Sequence, residues 1–425
     1  MRYPDIDANV ASVFELLGQD RQTKARRGRL TIAHGVIETP AFMPVGTQGS
    51  VKGVSPRELR ELNAQIILGN TYHLFVRPGI EVIKHFGGLH KFMNWNGPIL
   101  TDSGGYQIFS LAKLRKVSEE GAQFQNHVDG TPAFISPEIA MEIQAALGSD
   151  IAMVLDECPP WPCERDYAAK SAEMTARWAR RCKQASRRLQ DLTGLNSQVS
   201  KEGNAQRPTS NTERRTENSQ SLNTQLSTLN QLVFGIVQGA TFDDLRREAA
   251  QAIVEIGFDG YAVGGVSVGE PEAEMMRAVE ASETFLPSDK PRYAMGLGTP
   301  PQLLELIARG MDMFDCVLPT RLARNGTAFT ATGTLNLKNA EFTMDKRPIE
   351  ENCTCPACQE FTRGYIRHLI KAEEILGLRL ITIHNLHFYL DLMRQAREKI
   401  RAGTFDRFRS EFVSNYKTRE VDPQL

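Results

Sequence analysis

The sequence predicts an α/β fold, specifically a (β/α)8 TIM barrel in which eight parallel strands alternate with helices. Eight short apolar runs recur along the chain, each followed by glycine or polar residues, at positions 41–45, 65–68, 98–101, 151–155, 233–237, 260–263, 293–295 and 311–314. Most of the gaps hold helix-like sequence, at positions 55–62, 136–147, 242–256, 272–285 and 300–308. Buried strands that alternate with amphipathic helices indicate a parallel sheet, and eight of them favour a closed barrel.

Composition limits the classes of function. The 425 residues include 50 Lys and Arg against 51 Asp and Glu, a net charge of -1, so a nucleic-acid site must be a local patch. No apolar run approaches the about 18 residues of a membrane span, and the first twenty residues do not resemble a signal peptide. We therefore expect a cytoplasmic protein with no membrane partner.

Several elements are expected outside the barrel strands. Residues 29–42 predict an antiparallel hairpin that turns at His34 and Gly35, and residues 328–337 predict a small β element. The barrel domain is expected to span residues 1–352, followed by a zinc-binding subdomain at 353–393 and a helical tail at 394–425. Within residues 196–230, 21 of 35 are Ser, Thr, Asn or Gln, a composition that predicts a disordered insertion after a basic helix at about 166–192. The alternative is a loop that becomes ordered on RNA.

Polar residues follow the predicted strands where a barrel carries its chemistry, at the carboxyl ends. Asp102, Asp156 and Asp315 follow three of them, and Gln238 follows a fourth. A single Asp after a strand is more often a helix N-cap, but three that converge on one mouth suit acid/base work. Glycines at 104–105, 264–265, 296 and 298 would let backbone N–H groups approach a flat polar ligand.

Three cysteines within six residues, Cys353, Cys355 and Cys358, predict a metal site. A fourth ligand must come from elsewhere, and His384 is the best candidate, although spacing alone does not separate it from His387. Three Cys and one His form a closed tetrahedral set that is typical of one structural Zn²⁺ per chain.

Basic residues gather in the same part of the chain. Arg363, Arg367 and Lys371 fall at i, i+4 and i+8, so they line one helix face. That face is either simply solvated or a patch for a phosphate backbone.

The motifs together resemble a known family, the bacterial queuine tRNA-ribosyltransferases, also called tRNA-guanine transglycosylases. The resemblance spans about residues 26–393 and keeps the family's motif order. It rests on Asp102-Ser103-Gly104-Gly105-Tyr106-Gln107, Asp156-Glu157-Cys158, Gly235-Ile236-Val237-Gln238-Gly239, Tyr261-Ala262-Val263-Gly264-Gly265, Asp315-Cys316-Val317-Leu318-Pro319-Thr320-Arg321 and the Cys-x-Cys-x-x-Cys with a distant His.

The resemblance implies roles for individual residues. Asp315 would be the nucleophile and Asp102 the general acid/base. The implied base-binding residues are Ser103, Gly104, Gly105, Tyr106, Asp156, Gln238, Gly264, Gly265 and Met295. The implied RNA-binding residues are Gly296, Leu297, Gly298, Thr299, Pro300, Pro301, Gln302, Thr320, Arg321, Leu322, Ala323 and Arg324.

The resemblance also implies substrates and partners. Guanine at the wobble position of G-U-N anticodons, in the tRNAs for Asp, Asn, His and Tyr, would be exchanged for 7-aminomethyl-7-deazaguanine by a homodimer. Val268 matches the bacterial pattern, whereas the eukaryotic enzymes, which insert the bulkier queuine, have Gly there. Three alternatives are a non-catalytic tRNA-binding relative, the archaeal type, and a barrel lyase or aldolase on a small phosphorylated substrate. The presence of both Asp102 and Asp315, the short chain after His384 and the lack of Lys at the strand ends argue against them.

Overall fold

The computed structural model describes residues 13–111, 113–203 and 231–417. Its strands are β1 Val13–Gln19, β2 Arg26–Ile32, β3 Gly35–Thr39, β4 Ala41–Pro44, β5 Ile67–Gly69, β6 Ile99–Thr101, β7 Lys113–Ser118, β8 Gly121–Gln125, β9 Pro132–Ile135, β10 Ile151–Met153, β11 Leu232–Val237, β12 Gly260–Val263, β13 Arg292–Ala294, β14 Met313–Cys316, β15 Thr327–Thr330 and β16 Gly333–Asn336. Its helices are α1 Pro56–Glu61, α2 Thr71–Val76, α3 Ile80–His85, α4 Leu89–Met93, α5 Gly105–Leu111, α6 Pro137–Leu147, α7 Arg165–Gly203, α8 Asp243–Ile256, α9 Glu272–Glu283, α10 Pro300–Ala308, α11 Leu318–Arg324, α12 Pro356–Glu360, α13 Arg363–Lys371, α14 Ile375–Ala402 and α15 Phe405–Asn415.

Eight parallel strands form the predicted barrel, in the order β4-β14-β13-β12-β11-β10-β6-β5. Val45 and Leu68 make a parallel bridge between the two end strands, and the Gly46 N–H donates to the Leu68 carbonyl at 2.7 Å. This contact joins the edges of the sheet, so the barrel prediction is confirmed. Each predicted strand lies within two residues of an observed one, because the apolar runs are the buried segments themselves.

The barrel carries additional β structure. The predicted hairpin is present as β2 and β3, and β1 adds a third antiparallel strand beside β2. The expected β element near residue 330 is the β15–β16 pair. A second three-stranded sheet, β7-β8-β9, lies between β6 and β10 in the chain and was not predicted. Its first strand carries Lys113, Arg115 and Lys116 and therefore lacks an apolar run.

Ionic and polar groups occupy the amino ends of the barrel strands, opposite the catalytic end. Asp312, which precedes β14, accepts from Arg26 through both carboxylate oxygens. Asp150, which precedes β10, contacts His34 Nδ1 at 2.6 Å and His90 Nε2 at 3.2 Å, while the two imidazole rings stack at 3.8 Å. The 2.6 Å separation is that of a hydrogen bond and is shorter than the distance between two ligands of one metal ion, so hydrogen bonds hold this cluster together.

Helix α7 is longer than the sequence predicted. It runs to Gly203, so residues 196–203 of the expected insertion are helical. The rest of that segment, residues 204–230, lies outside the described residues. Helix α14 runs from Ile375 to Ala402 without a break at residues 393–394, where the tail was expected to begin. None of the described helices is long and apolar enough to cross a membrane.

Candidate active site

Asp102 lies at the carboxyl end of β6 and is 7% exposed. Its carboxylate accepts from Asn70 Nδ2 at 2.5 Å, the Thr71 N–H at 2.8 Å and Gln107 Nε2 at 2.8 Å. Burial raises the pKa of Asp102 to about 6, and the charge of Asp315 adds to the rise while the three donors oppose it. A carboxyl group with a pKa near neutrality can both accept and give a proton at physiological pH.

Asp315 lies on β14 and is held by donors from the neighbouring strand. Tyr293 Oη donates to Asp315 Oδ1 at 2.6 Å, and the Gly296 N–H donates to the same oxygen at 2.7 Å. No hydrogen bond within the described residues reaches the other oxygen, Oδ2. Burial raises the pKa of Asp315, and the two hydrogen bonds oppose that rise. One carboxylate oxygen is thus fixed by two donors, and the other accepts no hydrogen bond from the described residues.

A polar recess lies beside these two carboxylates. Asp156 is buried, and its carboxylate accepts from Ser103 Oγ at 2.8 Å and from Gln238 Nε2 at 2.7 Å. Gln238 Oε1 is buried without a hydrogen-bond partner among the described residues. A buried unpaired acceptor is costly, so the recess is suited to a ligand that donates hydrogen bonds.

Two glycines pack closely against these polar groups, where a larger residue would not fit. A Cβ at Gly105 would lie 2.5 Å from the Asp156 carbonyl oxygen, and one at Gly265 would lie 2.2 Å from Gln238 Oε1. Gly265 also has φ +61°, a left-handed conformation that favours glycine. The predicted base-binding residues at the ends of β6, β10, β11 and β12 therefore meet at one site. Of the predicted flanking side chains, Tyr106 is half exposed and Met295 is partly buried.

The predicted RNA-binding residues divide into exposed and buried ones. Gly296, Arg321 and Arg324 are exposed, and Gly296 contacts Asp315. The Gln302 amide caps α10, and its Nε2 also donates to Glu272. Thr299 and Pro301 are partly exposed at the start of that helix. The remaining predicted RNA-binding residues are buried: Leu297, Gly298, Pro300, Thr320, Leu322 and Ala323.

The cysteine cluster forms around His384. The Nδ1 atom of His384 lies 3.7, 3.6 and 3.3 Å from the sulfurs of Cys353, Cys355 and Cys358. His384 Nε2 lies 2.7 Å from the Phe329 carbonyl, to which it can donate, so Nδ1 is left as a ligand. His387, the other candidate, contacts Thr354 through Nε2 and is not among the four residues whose ligand atoms all lie within 4.8 Å of one another. These four residues can hold one metal ion. Such a site supplies folding energy rather than a reactive water, because all four positions are filled by protein.

The basic face of α13 is partly used by the fold. Arg363 donates to the carbonyls of Pro348 and Ile349, and Arg367 donates to that of Asn339. Lys371 is exposed. Two of the three cations are therefore held by neighbouring backbone, which weakens the case for a phosphate patch.

The sequence did not reveal the residues that hold the carboxylates of Asp102 and Asp315. Tyr293 sits inside a predicted strand, where an aromatic residue is normally core. Asn70 and Thr71 follow the predicted strand at 65–68, but nothing in the sequence pairs them with Asp102. The one indication in the sequence was their position after a strand. Neighbouring parallel strands such as β5 and β6 end at the same end of the barrel, so residues that follow them lie close together.

The fold and the site define a protein of the (β/α)8-barrel class, with the carboxylates of Asp102, Asp156 and Asp315 at the carboxyl ends of its strands. A family model described as queuine tRNA-ribosyltransferase matches residues 20–200 and 194–418. Curated relatives named queuine tRNA-ribosyltransferase from Staphylococcus aureus strains JH9, N315 and USA300 are each 51% identical over 414 residues, covering 97% of this chain and 99% of the relative. The chain belongs to the queuine tRNA-ribosyltransferase family, whose members are tRNA-guanine transglycosylases, a class of pentosyltransferase. The resemblance inferred from the motifs is thereby confirmed.

Proposed function

We propose that this enzyme replaces guanine at the wobble position of G-U-N anticodons with 7-aminomethyl-7-deazaguanine through a covalent tRNA–aspartyl intermediate. The observation that carries this proposal is the free Oδ2 of Asp315 at the same mouth as Asp102 and the Asp156–Gln238 recess. A nucleophile, an acid/base and a base-binding recess are the three parts that such an exchange needs.

The first half of the reaction breaks one bond and forms another. Asp315 Oδ2 attacks C1′ of the ribose while the C1′–N9 bond of guanine breaks, and the electron pair of that bond passes to the base. The protonated form of Asp102 gives its proton to the departing guanine. The ribose passes through an oxocarbenium-like state, which a carboxylate can trap as in retaining glycosidases.

The second half reverses these steps with a different base. The 7-deazaguanine gives its N9 proton to the carboxylate of Asp102, and N9 attacks C1′ as the ester to Asp315 breaks. Asp315 returns as a carboxylate. No external energy source is required, because one glycosidic bond replaces another.

Recognition of the base follows from the donors and acceptors of the recess. The Asp156 carboxylate accepts two hydrogen bonds from the protein and has further lone pairs for the N–H groups of a guanine-like edge. The Gly265 N–H and the second N–H of Gln238 would hold the base carbonyl. Tyr106 and Met295 would lie against the two ring faces. Val268 would exclude queuine, whose cyclopentenediol is bulkier than an aminomethyl group.

The remaining partners are also part of the proposal. The tRNA anticodon would enter with its bases unstacked, as single-stranded RNA allows, near the exposed Arg321 and Arg324. The bound metal would be Zn²⁺, which suits three thiolates and one imidazole. The protein would act as a homodimer, and one tRNA would contact both subunits.

The proposal is tested by the modified nucleoside itself. Unmodified tRNA for Asp, Asn, His or Tyr is incubated with the enzyme and 7-aminomethyl-7-deazaguanine, hydrolysed and analysed by mass spectrometry. The expected result is one modified nucleoside at the wobble position, with no modification of a tRNA whose anticodon lacks G-U-N. Modification at another site, or incorporation of queuine at the same rate, would contradict it.

A further inference from the structure

Arg246 is a fully buried cation behind the base-binding recess, and neither the motifs nor the proposed mechanism uses it. It lies in the first turn of α8, and its guanidinium binds four backbone carbonyls. Nε donates to Ala240 at 2.7 Å, Nη1 donates to Val237 at 3.1 Å and to Gly264 at 2.7 Å, and Nη2 donates to Gly265 at 3.0 Å.

Three of these four carbonyls belong to the two strand ends that form one wall of the recess. Val237 ends β11 and directly precedes Gln238, and Gly264 and Gly265 directly follow β12. The backbone N–H of Gly264 also donates to Val237, so the guanidinium clamps two strand ends that are already paired. The backbone of α8 also lies close to the end of β11, since a Cβ at Gly239 would lie 2.8 Å from the backbone nitrogen of Arg246.

The contact with Gly264 fixes the direction of a neighbouring N–H group. In a trans peptide the C=O and the following N–H point in opposite directions. Because the Gly264 carbonyl points at Arg246, the Gly265 N–H points away from Arg246. This peptide lies beside the recess, since a Cβ at Gly264 would lie 2.9 Å from Gln238 Nε2 and 3.7 Å from Asp156 Oδ2. Gly265 has a left-handed backbone with little steric restriction, so a partner is needed to keep that orientation.

Burying the charge of Arg246 at this position costs folding free energy. No carboxylate within the described residues comes within ion-pair distance of it, and burial lowers its pKa to about 10. A buried cation that is held only by carbonyl dipoles is a poor choice for fold stability alone. Its planar fork, however, can bind several carbonyls at fixed angles, which a lysine cannot do.

We propose that Arg246 is a positioning residue for base recognition, which holds the Gly264–Gly265 peptide so that the Gly265 N–H faces the base carbonyl. This inference rests on the proposed base-binding role of the recess. It predicts that Arg246 affects binding of the free base far more than binding of tRNA.

The test is steady-state exchange of labelled guanine into tRNA by Arg246→Lys, which keeps the cation but loses the fork. We expect the KM for guanine to rise by about tenfold or more, as for the loss of one or two hydrogen bonds, with the KM for tRNA changed less than about twofold. Arg247→Lys is the matched control, because Arg247 is exposed on the next position of the same helix and should leave both constants unchanged.

Two outcomes would overturn the inference. Unchanged guanine KM in Arg246→Lys would show that the recess does not depend on the fork, and a variant that fails to fold would assign Arg246 to stability. Asp156→Asn, measured in parallel, separates this inference from the proposed function. If Asp156→Asn raises the guanine KM and Arg246→Lys does not, only the role of Arg246 falls, whereas if neither raises it, the base site itself is wrong.

Discussion

Tyr293 donates a 2.6 Å hydrogen bond to Oδ1 of Asp315, from the strand next to the one that carries the carboxylate. The Gly296 N–H donates to the same oxygen. Both donors therefore hold Oδ1, and Oδ2 accepts no hydrogen bond from the described residues. Tyr293 is itself buried, and burial together with the charges of Asp315 and Asp102 raises its pKa well above the usual value. Tyr293 therefore keeps its proton at neutral pH and can donate to Asp315.

Tyr293→Phe should slow formation of the covalent adduct about 10- to 100-fold, the range expected for a hydrogen bond to a charged group. Since the lost donor favours the ionised carboxylate, the pKa of Asp315 should rise and the acid limb of the rate profile should move to higher pH. Single-turnover adduct formation over a pH series measures both effects. Tyr261→Phe, which removes a buried hydroxyl from the adjacent strand β12, is the control and should change neither. Equal adduct rates for Tyr293→Phe and wild type at every pH would contradict the assignment.

Asn70→Ala should raise the pKa of Asp102 further above about 6, because Asn70 donates to the ionised carboxylate. The pH at which exchange falls to half its maximum on the acid side should then move upward. The measurement is kcat/KM for guanine exchange as a function of pH. Thr71→Val is a suitable comparison, because its hydroxyl binds the main-chain carbonyl of Asp102 rather than the carboxylate. A midpoint that stays in place in Asn70→Ala would show that this contact does not tune Asp102.

The barrel was predictable because its strands are short and buried. Each buried strand is a run of apolar residues that can be recognised in the sequence. The β7-β8-β9 sheet was not, since its pairing depends on neighbours rather than on an apolar pattern. Asp102, Asp156, Gln238 and Asp315 could be found from their places after strands. Their partners could not, because the Tyr293–Asp315 and Asn70–Asp102 contacts join residues 22 and 32 positions apart that only the barrel brings together.

Metal content should be about one ion per chain, and it should depend on His384 rather than His387. His384→Ala removes the ligand that lies within 3.7 Å of all three sulfurs, so we expect loss of the ion and a lower melting temperature. His387→Ala should keep both. Elemental analysis and thermal unfolding of the two purified variants give the answer. A His384→Ala protein that retains its metal would refute the ligand set.

Stability at the amino end of the barrel should depend on pH through His34. Burial lowers the pKa of His34, but the hydrogen bond and the charge of Asp150 outweigh it, so the pKa is raised above 6.5. A raised pKa means that the stabilising contribution is complete below about pH 6.5 and is lost as pH rises through the folded-state value. The difference in free energy of unfolding between wild type and His34→Gln should therefore shrink as the solution becomes alkaline. Chemical denaturation across the neutral range measures it, with the exposed His85→Gln as the control. A difference that is constant with pH would contradict this account.

The most direct test of the central claim is whether the tRNA becomes attached to Asp315. Enzyme is incubated with tRNA, separated on a denaturing gel, digested, and the RNA-linked peptide is identified by mass spectrometry. The account predicts an adduct on the peptide that contains Asp315 in the wild type, and none in Asp315→Ala, which should still bind tRNA in a native gel. An adduct that persists in Asp315→Ala, or one that maps to Asp102, would contradict it.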